Sequence, residues 1–300
     1  MKYIKSFESH DNYLSFIASQ NKILPNISLC KNDISYHIHF NPLLITETYL
    51  TFIALEDTTF TFSTNTINYS LDNGNTWTEL AANTESPTVT LGNEIMWKGT
   101  LIPNNNNGIG KFSSTGKFNA IGNVMSLLYG DNFRNPTNFA EKSYAFSKLF
   151  YNNTNLISAK NISLPATTLA NYCYYYMFAG CTSLTSVPEL PATTLAERCY
   201  SYMFSGCTSL TSTPELPATT LADYCYSNMF NGCTSLTTAP ELLATTLANY
   251  CYSSMFYNCI SLTTTPELPT TTLTNYCYYY MFYGCISLTT APELPATTLV

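Results

Sequence analysis

Charge is what this 300-residue chain has least of, with Asp, Glu, Lys and Arg together only 10% of its residues. The net charge is −7 and no basic stripe offers a phosphate backbone a place to lie, so nucleic acid is not an expected partner. Histidine is nearly absent. The three present, His10, His37 and His39, all fall in the first 43 residues. His37 and His39 share one face of a strand-like run, but no third ligand stands near them, so no metal is expected. Nothing in the chain calls for a cofactor. No run of 18 apolar residues exists, which argues against membrane insertion. The opening Met1-Lys2-Tyr3-Ile4-Lys5-Ser6 carries charge, and Glu8, His10, Asp11 and Asn12 keep any apolar core from forming behind it, so no secretory signal is read there.

What the chain has in abundance is repetition. From Leu164 onward it reads L-P-A-T-T-L-A-x-x-C-Y-x-x-M-F-x-G-C-T-S-L-T-x-x-P-E, and the leucines opening each copy (Leu164, Leu190, Leu216, Leu242, Leu268, Leu294) recur every 26 residues. A fixed period of this size marks a solenoid, whose units bury their apolar faces only by stacking. Wound at about 100° per residue, Leu169, Ala170, Cys173, Tyr174, Met177 and Phe178 share one half of a wheel. The other half varies between copies, giving Glu197, Arg198, Ser201, Asn228, Ser254 or Tyr283. The expectation is an amphipathic helix over Leu169 to Ala179, N-capped at Thr168, with a capping box at Thr194 and Glu197. Gly180, Gly206, Gly232, Gly284 and, once, Asn258 occupy the far end, as a left-handed residue after a helix requires. Ser183 to Val187, closed by Pro188, reads as a brief parallel strand.

These residues resemble the BspA-like leucine-rich repeat of bacterial surface proteins, through F-x-x-C-x-x-L-x-x-V/I, the L-P after it and the second M-F, over about Ser143 to Val300. The resemblance implies an α/β repeat solenoid, one short strand and one helix per coil. The unit is longer than the usual bacterial form, with extra residues at Val187 to Leu190 and Leu195 to Phe204.

Ten of the eleven cysteines lie in the repeats, in the phases of Cys173 and Cys181. Helical geometry would hold that pair roughly 12 Å apart, beyond a disulfide. Equivalents such as Cys173 and Cys199 would sit on helices about 8–10 Å apart. Two ladders of buried free thiols are expected.

Ahead of the repeats the chain divides into a leader (1–43), a small all-β sandwich-like domain with its connector (44–135) and an atypical capping repeat (136–163). The solenoid then takes 164–300, five full repeats and a partial sixth. The leader reads as a helix over Ser9 to Ser19 and two strands, Leu24 to Cys30 and Tyr36 to Phe40. Short alternating runs from Tyr49 to Trp97 read as strands, with two more at Gly110 to Ser113 and Lys117 to Ile121. Among them Ser70, Asp72, Gly74, Thr76 and Trp77 are similar to the Asp-box of sialidases. In that motif Asp72 caps its own turn, Gly74 takes positive φ and Trp77 packs beneath the hairpin. A sialidase would need a cluster of arginines, and only Arg134 and Arg198 exist, so the motif is read as structural and the chain as no enzyme. The whole arrangement also resembles proteins encoded by gut Bacteroidales and their phages.

These features together read as a non-enzymatic binding or adhesion module on a cell or virion surface, recognising a host-surface protein or glycan. Its candidate binding surface is the variable half of the wheel: Tyr172, Tyr175, Tyr176, Arg198, Tyr202, Asn228, Tyr257, Tyr279, Tyr280 and Tyr283. The alternatives are a structural phage tail or fibre component without its own ligand, and a glycan-active enzyme suggested by the Asp-box. Leu294 to Val300 begins a sixth copy with no polar cap, so continuation past Val300 or self-association through this end is expected.

Overall fold

Strands that alternate apolar and polar residues have one face to bury, and in this chain the buried face is mostly phenylalanine. The structure is a computed structural model, and it describes residues 6–7, 28–32, 35–39, 47–104, 107–134, 138–139, 141–268, 272–294 and 298–299. It forms two compact units, Met1–Thr48 and Tyr49–Val300. In the first, β1 (Ser6–Phe7), β2 (Ser28–Asn32) and β3 (Ser35–His39) make an antiparallel sheet in the order β1-β3-β2, with Cys30 paired to His37. The helix expected at Ser9 to Ser19 lies outside the described residues.

The second unit opens with β4 (Leu50–Ala54), β5 (Phe60–Phe62), β6 (Ile67–Ser70), β7 (Thr78–Leu80), β8 (Glu94–Lys98), β9 (Phe112–Ser114) and β10 (Phe118–Asn123). The run at Thr88 to Leu91 is no strand; only a bridge between Thr58 and Val89 forms there. A four-residue helix, α1 (Ser126–Tyr129), comes next, and then β11 (Leu156–Ser163). One sheet runs β11-β10-β4-β8-β6-β7, and β5 pairs with β9 in a second. Between them Phe52 of β4 meets Phe60 of β5 at 5.1 Å and Phe112 of β9 at 4.8 Å, all three fully buried. Because β11 pairs in parallel with β10, the sheet continues into the first coil.

Among the described residues of the repeats no helix forms, which corrects the helical reading of Leu169 to Ala179. The segment is a ribbon of successive tight turns. Tyr172, Tyr176 and Gly180 have φ of 59°, 55° and 75°, and the four-residue spacing recurs in each later copy, at Arg198, Tyr202 and Gly206 next. Odd-numbered amides donate within the coil to the carbonyl three residues back, as from Tyr175 to Tyr172 at 3.2 Å and Met177 to Tyr174 at 3.1 Å. Even-numbered amides donate to the next coil: Tyr172 to Glu197, Tyr174 to Cys199, Tyr176 to Ser201, Phe178 to Met203 and Gly180 to Ser205. A true helix would close i to i−4 bonds and leave no amide for its neighbour. Left-handed conformation costs a tyrosine roughly 1–2 kcal/mol, and the inter-coil hydrogen bonds it permits hold it there.

Other expectations at the coil edges also change. Thr168 does not cap a helix; it bridges Thr194 and Asn138 in parallel, and the amide of Glu197 takes the side chain of Asn171. The strand expected at Ser183 to Val187 reduces to the bridge between Ser158 and Ser186. The buried half of the wheel is nonetheless buried: Leu169, Cys173, Met177 and Phe178 are at most 4% exposed. On the other half Asn171 is exposed and Tyr175 half-buried, but Ala179 is 3% exposed and belongs to the core.

Stacked coils align like residues. Rings in the phase of Phe178 run from Phe150 to Phe282 at 5.4–5.7 Å intervals, nearly parallel. At the N-terminal end the β-strands close the stack. Phe112 donates its amide to Leu149, and the Gly108 backbone, at φ +61°, lies so near the Ser147 and Tyr144 carbonyls that a Cβ would meet them at 2.6 and 2.8 Å. At the last described coil, the amides of Tyr276, Tyr280, Phe282 and Gly284 meet no backbone acceptor among the described residues. Native-state hydrogen exchange should therefore show these four amides exchanging far faster than Tyr226, Phe230 and Gly232, which donate at 3.0, 2.9 and 2.8 Å. Equal protection in the monomer would contradict this assignment.

Candidate binding face

The four-residue rhythm sorts side chains into pairs that point inward and pairs that do not. Inward go Cys173 with Tyr174 and Met177 with Phe178; outward go Tyr172, Tyr175 and Tyr176. Because every coil repeats the same backbone, each outward position becomes a row running along the stack.

The row of Tyr172 is a near-continuous pile of rings. Tyr144 stacks on Tyr172 at 4.6 Å, and Tyr224, Tyr250 and Tyr276 continue at 4.5 and 4.7 Å. Arg198 replaces a ring in the middle, its guanidinium 5.8 Å from Tyr172 and 3.9 Å from Tyr224, where the π faces attract the cation. Glu197 accepts from both Arg198 Nε at 3.4 Å and the Tyr172 hydroxyl at 3.3 Å. Burial is the main cause of a raised Tyr172 pKa, with the Arg198 charge opposing it and Glu197 adding to it.

The row of Tyr176 is broken. Tyr176 stacks on Tyr202 at 4.5 Å, but the next two coils carry Asn228 and Ser254 before Tyr280. The third row, in the phase of Ala179, carries Ser205 and Asn231 before Tyr257 and Tyr283, which stack at 5.0 Å. Between the first two rows, Tyr175 and Tyr279 stand at either end of three buried serines, Ser201, Ser227 and Ser253. The ten candidate residues thus share one side of the ribbon. Tyr279, Tyr280 and Tyr283 are exposed at the last coil, and the other seven are half-buried.

The turn between β6 and β7 is held without help from the core. Asp72 accepts from the Thr76 amide at 2.8 Å, the Thr76 hydroxyl at 2.7 Å and the Ser70 hydroxyl at 2.7 Å. Those bonds to the charged form, Thr76 first, lower its pKa to about 2, so it is no proton donor. Asn73 and Gly74 both take positive φ, and Trp77 Nε1 donates to the Gly74 carbonyl at 3.1 Å. Lys98 lies 4.3 Å over the Trp77 ring and pairs with Asp131 at 2.8 Å.

The thiols do work that the sequence did not disclose. Cys207 donates its S–H to the Phe178 carbonyl of the preceding coil at 3.2 Å, and Cys181, Cys233, Cys259 and Cys285 repeat the contact at 2.9–3.1 Å. All ten repeat cysteines are free and buried. The helix spacing used to argue against disulfides does not apply to a hydrogen-bonded stack; burial and these S–H bonds describe the thiols instead.

Residues 143–289 match the BspA type leucine rich repeat region, in six copies. The repeats are of that kind, and the structure arranges them as a solenoid. No curated protein and no solved structure matches the chain.

Burial pushes Cys181, Cys199, Cys233 and Cys251 up to about 12. Unfolded thiols ionise near pH 8.5, so from about pH 8.5 to about pH 12 the unfolded chain releases protons that the folded chain keeps, and stability falls as pH rises. Urea midpoints should be flat below about pH 8 and decline above it, and a flat profile to about pH 11 would contradict the burial of the ladder. Cys207→Ala, which removes one of the two hydrogen bonds to the Phe178 carbonyl, leaves that from the Cys181 amide and opens a small void, should cost about 1–2 kcal/mol by the same measurement.

Proposed function

We propose that this chain is a non-enzymatic binding and adhesion protein that presents its turn ribbon to a host-surface protein or glycan, displayed on a cell or virion surface. The observation that carries the reading is the contrast between the rows. Inward rows keep one residue type through the five 26-residue repeats, whereas the outward rows of Tyr175, Tyr176 and Tyr257 change among Tyr, Ser, Asn and Ala on an unchanging backbone, and only the Tyr172 row stays tyrosine apart from Arg198. Tyrosine supplies contact area at small entropic cost, and Ser and Asn supply adaptable hydrogen bonds, the composition of recognition surfaces. The match to BspA type repeats supports a surface role of this kind.

On this reading the Ser70–Trp77 turn is an Asp-box used for structure. Its carboxylate is fully engaged by its own turn, and the Glu189, Glu215, Glu241 and Glu267 carboxylates form an exposed row where a glycosidase needs a facing pair. An origin among gut Bacteroidales or their phages belongs to the same proposal.

The test is binding of the full chain to a glycan array and to intact bacterial and epithelial cells. Tyr176→Ser and Tyr257→Ser, each placing on one coil a residue another coil already uses there, should lower binding while leaving the melting temperature in place. No binding above background at high protein concentration would remove adhesion as the function.

A further inference from the structure

The break in the Tyr176 row differs from ordinary variation, because the backbone on either side of it does not change. Tyr176, Tyr202, Asn228, Ser254 and Tyr280 have φ of 55°, 56°, 56°, 54° and 51°. Two tyrosines are therefore missing from a ladder whose rungs are all present. Three steps at the roughly 4.8 Å spacing of hydrogen-bonded strands place the Tyr202 and Tyr280 rings about 14 Å apart, with only an amide and a hydroxymethyl between them. The Tyr202 ring is stacked by Tyr176 on one side and by no ring on the other, where Asn228 sits.

The floor of the gap is polar and pre-arranged. Asn231 Nδ2 donates to Asn228 Oδ1 at 3.0 Å, and Asn228 Nδ2 donates to Ser227 Oγ at 2.9 Å. That relay fixes both amides while leaving each a second N–H, and leaving Asn231 its carbonyl, for another group. None of these side chains carries charge. An aromatic face beside oriented amides and hydroxyls, with the nearby Arg198 guanidinium held between Tyr172 and Tyr224, matches a ring that is apolar on one face and hydroxylated at its edge.

We propose that this interruption is a saccharide-binding pit, in which a neutral pyranose lays its C–H face on the Tyr202 ring and gives its hydroxyls to Asn228, Asn231 and Ser254. The proposal rests on the adhesion reading and narrows it to one place and one ligand class. The Tyr172 row, in which Arg198 fills the one position without a ring, is not such a site. Its ring faces are spent on each other or on the Arg198 guanidinium, and it serves as the wall of the pit.

The ladder itself supplies the decisive variant, since Asn228→Tyr restores the residue that coils before it carry at the same φ. The experiment tracks the Asn side-chain amide signals of the full chain by NMR during titration with methyl glycosides of glucose, mannose, galactose and N-acetylglucosamine. At least one should shift the Asn228 and Asn231 amides, and Asn228→Tyr should weaken that glycoside by about tenfold or more without lowering the melting temperature. Glu215→Gln, made in the exposed glutamate row, should leave the affinity in place. Affinity retained by Asn228→Tyr would overturn the proposal, and so would the absence of any shift from all four glycosides. In the second case, cell binding by the same preparation would show that the pit had failed and adhesion had not; loss of both would count against adhesion itself.

Discussion

The repeat region depends on a division of labour between alternate amides. One N–H of each pair closes a turn inside its own coil, and the other reaches across to the next, five times at each junction. Neither half suffices alone. Turns without the crossing bonds would be isolated loops with left-handed tyrosines to support, and crossing bonds without the turns would need an extended strand. Together they place identical residues one above another, and the phenylalanine, tyrosine and cysteine columns result from that alignment. The side chains then add their own burial to a scaffold that the backbone has already indexed.

This dependence explains which features could be read from the residues. The 26-residue period, the inward residues and most of the β-strands between Leu50 and Asn123 were legible, because burial leaves a periodic record in composition. The conformation of the ribbon was not. Over Leu169 to Ala179, a period of 4 differs from 3.6 by about one residue in all, and paired apolar residues satisfy both. The glycines and Asn258 did mark positive φ correctly, but at the end of a helix that is not there. Tyr172, Tyr176, Arg198 and Tyr202 share the left-handed conformation without any residue-type signal for it, since bulky side chains seldom adopt it.

The candidate face divides along the same line. Its members were legible as the residues that differ between copies. Their relations were not: that Tyr172 spends its ring on Tyr144, that Arg198 is held between Tyr172 and Tyr224, or that the Tyr176 row has a gap at Asn228, all depend on a coil register set by hydrogen bonds. The thiols illustrate the limit in the core. Burial alone accounts for a cysteine in sequence, whereas its bond to a carbonyl 29 residues earlier, as from Cys207 to Phe178, requires the stack.

The crossing amides of the ribbon all point the same way, each N–H toward the next coil. Aligned peptide units add their dipoles, and in an α-helix that sum leaves the positive end at the N-terminus. Here the sense is reversed along the stacking axis. Among the described residues the acceptor end sits under the β-strands around Gly108 and Phe112, and the donor end is the coil of Tyr276 to Gly284. Two such donor ends repel when brought face to face. The ribbon is a directional object, one that can be extended only by something that arrives carbonyls first.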